Sequence, residues 1–185
     1  MEEICMNTLI THDSEYDETK EVTEKNASTP VEKVLVDLLI EKGWHISFAE
    51  SCTGGLASAK LVSVPDASRV LNVSFVTYAN EAKVEYLGVC QKTIDEYGVV
   101  SEQVAEEMAV GAACKNHAEV GVGISGIAGP GGATASKPVG TVCFGFYVNG
   151  KKYVYTKQFG NIGRNNVRDA SVRFVYKTLI ELLFM

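Results

Sequence analysis

Two β-rich runs, residues 139–148 and 151–159, flank the dipeptide Asn149-Gly150. Asn-Gly supplies the two left-handed residues of a tight type I′ turn, so these runs are predicted to form an antiparallel hairpin. Before the hairpin, helical and strand patterns alternate, an order that builds parallel strands covered by helices. A parallel framework that also holds an antiparallel hairpin must be a mixed sheet. The expected fold class is therefore α/β, a single-domain three-layer α/β/α sandwich with a mixed sheet.

The folded body is predicted to start at Thr29-Pro30-Val31-Glu32. Thr caps, Pro takes the first helical position, and Glu follows three residues after Thr. Val31, Val34, Leu35, Leu38 and Leu39 share one face, and Gly43 stops this helix. A buried strand over 45–49 leads into a turn at Ser51 and a helix over 53–62, which Pro65-Asp66 ends. A β-rich run over 70–79 follows, with Asn80 capping a helix through Leu87. Next come a helix over 101–117, a strand over 120–125, a glycine-rich loop over 126–132, the hairpin, and a closing helix over 164–183. No internal repeat and no second domain is visible.

The net charge of −6 has one source. Residues 1–28 hold eight acidic and two basic side chains, so the 23 acidic and 17 basic residues of the chain leave 15 of each for residues 29–185. A neutral body argues against a nucleic-acid-binding face, which needs clustered Lys and Arg. The acidic leader, 1–28, buries too little apolar surface to offset its ordering entropy and is expected to be disordered. Met1-Glu2-Glu3 carries the wrong charge for a secretory signal, and no apolar run approaches the roughly 18 residues of a membrane span. A cytoplasmic protein with neither nucleic-acid nor membrane partners is expected, and a dimer is the expected assembly. Cys5, Cys52, Cys90, Cys114 and Cys143 are widely spaced with no Cys-x-x-Cys pair. That spacing argues against a disulfide framework, and no metal-ligand motif is present.

The stretch Ala49-Glu50-Ser51-Cys52-Thr53-Gly54-Gly55 places a hydroxyl and a thiol at a strand-to-helix turn. Such a turn suits a nucleophile, an oxyanion or a phosphate, and it equally suits a plain helix cap. A His partner for Ser51 or Cys52 is not at hand. His12 lies in the leader, His117 ends a surface helix, and His45 sits about 20 Å back along the strand. The other candidate base is Lys83, in Tyr78-Ala79-Asn80-Glu81-Ala82-Lys83. In a first helical turn the dipole disfavours its charge and burial lowers its pKa further, whereas in solvent it would pair with Glu81 or Glu85. Tyr78 either donates into the same cleft or packs as a half-buried aromatic. The loop Ser125-Gly126-Ile127-Ala128-Gly129-Pro130-Gly131-Gly132 also follows a strand, so both loops can line one cleft at the carboxyl edge of the sheet. Its N–H groups can cradle a phosphate or it can be a plain connection. Arg164 and Arg168 share a face at the start of the last helix, where Arg164 can clamp a phosphate or both can be surface charges.

Taken together, Ala49–Gly55, Tyr78–Lys83, Val100-Ser101-Glu102, Gly126–Gly132 and Lys137-Pro138-Val139-Gly140-Thr141-Val142 resemble the CinA C-terminal domain family over about residues 30–183. The resemblance implies nicotinamide-nucleotide amidohydrolase activity, converting nicotinamide mononucleotide to nicotinate mononucleotide and ammonia without a cofactor or metal. It further implies Ser51 as nucleophile, Lys83 as base and Tyr78 as their neighbour. Ser125 stands where the family usually has Thr, and Arg164 matches an arginine of the site. Ala79 replaces a common Ser. On this basis Thr53, Gly54 and Gly55 are expected to supply oxyanion N–H groups, while Ser125, Gly126, Gly129 and Arg164 hold ribose and phosphate. Two other readings stay open: an amidohydrolase for another small amide, and a non-catalytic competence-associated binding protein. The acidic leader stands where full-length relatives carry a larger domain.

Overall fold

The hairpin forms where Asn149-Gly150 predicts it. In the computed structural model, which describes residues 9–11 and 29–185, β5 (Thr141–Val148) and β6 (Lys151–Gln158) run antiparallel, pairing Val148 with Lys151 and Thr141 with Gln158. Asn149 and Gly150 take φ of 46° and 89°, both left-handed. Four further strands complete one sheet: β1 (Leu9–Thr11), β2 (Ile46–Glu50), β3 (Phe75–Val76) and β4 (Val120–Gly126). The order is β1-β6-β5-β4-β2-β3, with β4 antiparallel to β5 and the β2-β4, β2-β3 and β1-β6 pairs parallel. The mixed sheet expected from the sequence is thus present. β1 comes from the leader, where no strand is predicted. An open edge such as that of β6 offers backbone hydrogen bonds to any extended segment, whatever its side chains. The rest of the leader lies outside the described residues.

Helices cover both faces. α1 (Val31–Lys42), α2 (Leu56–Val62) and α6 (Arg164–Leu183) pack on one side, and α3 (Asn80–Leu87), α4 (Gln91–Tyr97) and α5 (Glu102–Asn116) on the other. The larger core joins Phe48, Val122, Phe144 and Phe146 of the sheet to Leu35, Leu39, Val175, Tyr176 and Leu179. The opposite core is built of smaller residues, and α5 lies very close to the sheet. A Cβ on Gly123 would stand 2.1 Å from the Ala105 carbonyl oxygen, and one on Gly145 2.2 Å from the same atom. Gly123→Ala is accordingly expected to destabilise the fold by about 3 kcal/mol, the upper part of the range for overpacking. Urea unfolding should show a lower midpoint at unchanged slope. Among the described residues no helix is long and apolar enough to cross a membrane.

Several local expectations need correction. α1 starts at Val31 behind an extended Pro30, and no side chain caps it, so Thr29 does not act as the N-cap. The predicted 53–62 helix begins only at Leu56, because Gly54 and Gly55 at φ 60° and 89° cannot be helical. Of the run 70–79, only Phe75–Val76 joins the sheet, with a single bridge at Leu71. Residues between them leave the ladder. The Val73 carbonyl accepts from Ser47 Oγ at 2.9 Å, and Ser74 Oγ accepts the Phe48 N–H at 3.4 Å. α4 has no counterpart in the sequence reading, and Asn80 is the first residue of α3 rather than its cap.

Because β2, β3, β4 and β6 are parallel to one another, their carboxyl ends share one edge of the sheet. That edge receives the Ser51 turn, the 77–79 segment, the glycine-rich loop and the entry to α6. The chain leaves β2 toward one face (α2) and β3 toward the other (α3), which opens a crevice where ligands bind in such sheets.

Candidate active site

Ser51 is the first residue beyond β2, held by its N–H donating to the Ile124 carbonyl at 3.0 Å. Lys83 reaches it from α3. Side chains on a helix point back toward its N-terminus, and the Lys83 stem therefore runs down to the segment that precedes α3. Nζ lies 3.3 Å from Ser51 Oγ, 2.7 Å from the Thr77 carbonyl oxygen, 3.4 Å from that of Tyr78 and 3.5 Å from that of Ala79. Lys83 is fully buried and makes no ion pair among the described residues. Burial pushes its pKa below the ordinary lysine range, and the neighbouring Cys52 sulfur and then Glu81 oppose this only in part. Of the two roles open to Lys83 in the sequence, the structure selects the buried one.

Cys52 is separated from Ser51 by its environment. It is buried, and burial pushes its thiol up to about 12, which keeps it protonated at neutral pH.

Glu50, to which the sequence reading gives no role, organises the turn. Its carboxylate is fully buried at the end of β2. It accepts the N–H of Gly55 (3.0 Å), Ala57 (3.1 Å) and Ser58 (2.8 Å), and the Ser58 hydroxyl at 2.6 Å. A buried carboxylate is tolerable here because the first turn of α2 offers unpaired donors and the positive dipole end. This corrects the expected oxyanion donors. Gly55 N–H is spent on Glu50, and Gly54 N–H donates to the Ser51 carbonyl at 3.0 Å. The N–H groups of Cys52 and Thr53 take no acceptor from another described residue. Thr53 and Thr77 are both buried, and their Oγ1 atoms have no partner among the described residues.

The remaining candidates divide. Tyr78 neighbours Lys83 through its carbonyl, while its hydroxyl makes no hydrogen bond to Ser51 or Lys83. It accepts from Arg164 Nη2 at 3.0 Å while the ring is 63% exposed, so its side chain belongs to the rim. Arg164 Nη1 donates to the Gly129 carbonyl at 2.8 Å, tying the start of α6 to the glycine-rich loop. In that loop the N–H groups of Ala128, Gly129, Gly131 and Gly132 have no acceptor among the described residues. Gly126 has a packing role, since a Cβ there would meet Val142 at 2.7 Å. Ser125 is buried, and its hydroxyl donates to the Val99 carbonyl at 2.7 Å, which braces the approach to α5. Arg168, which the sequence leaves as a possible surface charge, donates to the Thr53 carbonyl from Nη2 at 2.8 Å and Nε at 3.3 Å. Among the described residues no three of His, Cys, Asp and Glu gather as metal ligands.

Residues 28–183 match the family described as CinA C-terminal domain. The CinA-like protein of Kosmotoga olearia is 46% identical over 144 residues, covering 78% of this chain and 35% of that protein. The chain thus spans about a third of the length of the curated relatives it matches. Among solved structures, the competence/damage inducible protein CihA from Agrobacterium tumefaciens has a TM-score of 0.81 at 39% identity, covering 84% of this chain and 94% of that one. A CinA superfamily protein from Escherichia coli has a TM-score of 0.79 at 34% identity, covering 82% and 88%.

Proposed function

The chain belongs to the CinA C-terminal domain family, and we propose that its crevice hydrolyses the carboxamide of nicotinamide mononucleotide to nicotinate mononucleotide and ammonia. The observation that carries the reading is the fully buried Lys83 amine, 3.3 Å from the Ser51 hydroxyl and without an ion-pair partner among the described residues. An unpaired, desolvated lysine favours its neutral form, and a neutral amine next to a hydroxyl is a general base.

In the neutral amine two N–H bonds point at backbone carbonyls, with Thr77 the nearest, and the lone pair is left for the proton of Ser51. As Oγ bonds to the carboxamide carbon, that proton passes to Nζ. The oxygen of the former carbonyl gains negative charge, and the N–H groups of Cys52 and Thr53, which donate to no other described residue, are the nearest donors in the turn to receive it. One such donor is worth roughly 3 kcal/mol of barrier. Nζ then gives its proton to the departing nitrogen, the C–N bond breaks, and ammonia leaves with an ester on Ser51. Water, deprotonated by the same amine, hydrolyses the ester and restores the hydroxyl.

Specificity comes from the rim. Arg164 and the free N–H groups of the glycine-rich loop form a cationic, donor-rich wall suited to a phosphate monoester. Arg164→Met is expected to raise KM for nicotinamide mononucleotide about 10-fold or more, the effect of losing a charge-assisted hydrogen bond, with a smaller fall in kcat. Ammonia release should be compared for nicotinamide mononucleotide, free nicotinamide and simple aliphatic amides. Preference for the nucleotide, lost in Arg164→Met, supports the reading. Equal or faster turnover of phosphate-free amides would replace it with a general small-amide hydrolase, and no turnover of any amide would remove the enzymatic reading.

A further inference from the structure

We propose that Arg168 is a positioning residue for the nucleophile: from the second turn of α6 it holds the Thr53 carbonyl, and so fixes the 51–54 turn that presents Ser51 together with the N–H groups of Cys52 and Thr53. The inference rests on the assignment of Ser51 as nucleophile.

The turn has little stiffness of its own. Gly54 and Gly55 follow Thr53 in left-handed conformations, and glycine leaves the backbone free to depart from them. Two side chains hold it, at different backbone groups. Glu50 fixes the α2 side by accepting Gly55, Ala57 and Ser58 N–H groups. Arg168 fixes the Thr53 carbonyl. Its Nη2 and Nε converge on one oxygen, the Thr53 carbonyl, at 2.8 and 3.3 Å. The N–H of the same peptide group, on Gly54, donates to the Ser51 carbonyl at 3.0 Å. This one peptide plane is therefore gripped at both ends, and one of those ends is Ser51 itself.

Arg168 is in turn oriented. Nη1 donates to Asn165 Oδ1 at 3.1 Å, one helical turn back. α6 is anchored to the start of α2 by Tyr176, whose hydroxyl donates to the Ala57 carbonyl at 2.8 Å. Among the described residues Arg168 makes no ion pair, so its charge is not spent on a carboxylate. That charge is felt in the turn, where it acts with Arg164 to favour a negative Cys52 sulfur. A negative oxygen forming beside the N–H groups of Cys52 and Thr53 gains from the same field. A lysine cannot reproduce the contact, because a compact ammonium lacks the planar fork.

The test compares wild type, Arg168→Met and Arg168→Lys by three readouts. The first is the rate at which a fluorophosphonate labels Ser51, a step in which the Oγ–P bond forms, fluoride leaves and the serine proton goes to Lys83. The second is the kcat and KM for ammonia release from nicotinamide mononucleotide. The third is the thermal unfolding midpoint. Misplacement of a reacting group by an ångström costs on the order of 100-fold. Arg168→Met should therefore lose about 30-fold or more in both labelling rate and kcat, with KM within about threefold of wild type. Arg168→Lys should recover only part of the loss, and both variants should remain folded at the assay temperature.

Labelling within twofold of wild type in Arg168→Met would overturn the proposal. So would a loss that merely follows the unfolded fraction, or a rise in KM at constant kcat, which would make Arg168 a substrate contact. If the wild type labels at Ser51 but releases no ammonia from the nucleotide, the substrate assignment fails and the labelling comparison still decides the role of Arg168. If the wild type does not label at Ser51 at all, this proposal falls with the nucleophile.

Discussion

Replacing Ser51 with alanine is expected to reduce ammonia release from nicotinamide mononucleotide by about 10³-fold or more, the scale on which loss of a covalent nucleophile acts. The fold should survive, because the Ser51 contacts that hold the turn are made by its N–H and carbonyl groups, which alanine retains. Cys52→Ala is the matched control. Its thiol is buried and protonated at neutral pH, so it should affect packing by about 1 kcal/mol or less and leave turnover within a few-fold of wild type. Steady-state ammonia release with purified, folded variants reads both outcomes. A fully active Ser51→Ala alongside an inactive Cys52→Ala would transfer the chemistry to the thiol.

The second large effect belongs to Lys83. Lys83→Met fills nearly the same volume without a base, and kcat should fall about 10²- to 10⁴-fold, the usual contribution of a positioned general base. Lys83→Arg should be equally inactive, since a guanidinium does not deprotonate in this range. In the wild type, kcat/KM should rise with pH through an apparent pKa below the ordinary lysine value of about 10.4. Stability carries the same signature. The folded chain holds the Lys83 proton less tightly than the unfolded chain, so stability rises with pH between the lowered folded pKa and the unfolded one. Below that window the cost of burying the ammonium is felt in full, and above it the cost is gone. Lys83→Met should remove this component, leaving a flatter dependence of the urea midpoint on pH.

The parts of the molecule legible in the sequence are those specified by local chemistry. Asn149-Gly150 dictates a hairpin because both residues tolerate left-handed backbone, and α6 spans Arg164–Leu183 as its pattern predicts. Ser101 caps α5 by accepting the Val104 N–H at 3.3 Å, a bond that needs only neighbouring residues. The Ser51 turn and Lys83 were visible as candidates for the same reason. What joins them is tertiary: parallel pairing of β2 with β3 places the Thr77 carbonyl and the start of α3 beside Ser51.

Features that depend on distant partners were not legible. Arg168 reads as a surface charge because its acceptor is a backbone carbonyl 115 residues earlier, which no side-chain pattern encodes. Glu50 shows no role in the sequence, since its compensation comes from N–H groups exposed only after the chain has turned through two left-handed glycines. The run 70–79 has the composition of a full strand, yet at the sheet edge Ser47 and Ser74 side chains meet backbone groups that a longer ladder would have used. The Tyr78 hydroxyl went to Arg164 rather than to the Ser-Lys pair for an equally non-local reason: α6 enters over the same edge of the sheet.

The claim that a buried lysine activates Ser51 is tested most directly by trapping the intermediate. Wild-type protein mixed with nicotinamide mononucleotide and quenched in acid within the first turnovers should carry a nicotinate mononucleotide ester on the peptide containing Ser51. Fragmentation would place that mass on the serine, and both Ser51→Ala and Lys83→Met should lack it. An adduct on Cys52, or steady turnover with no covalent species on this peptide, would contradict the account.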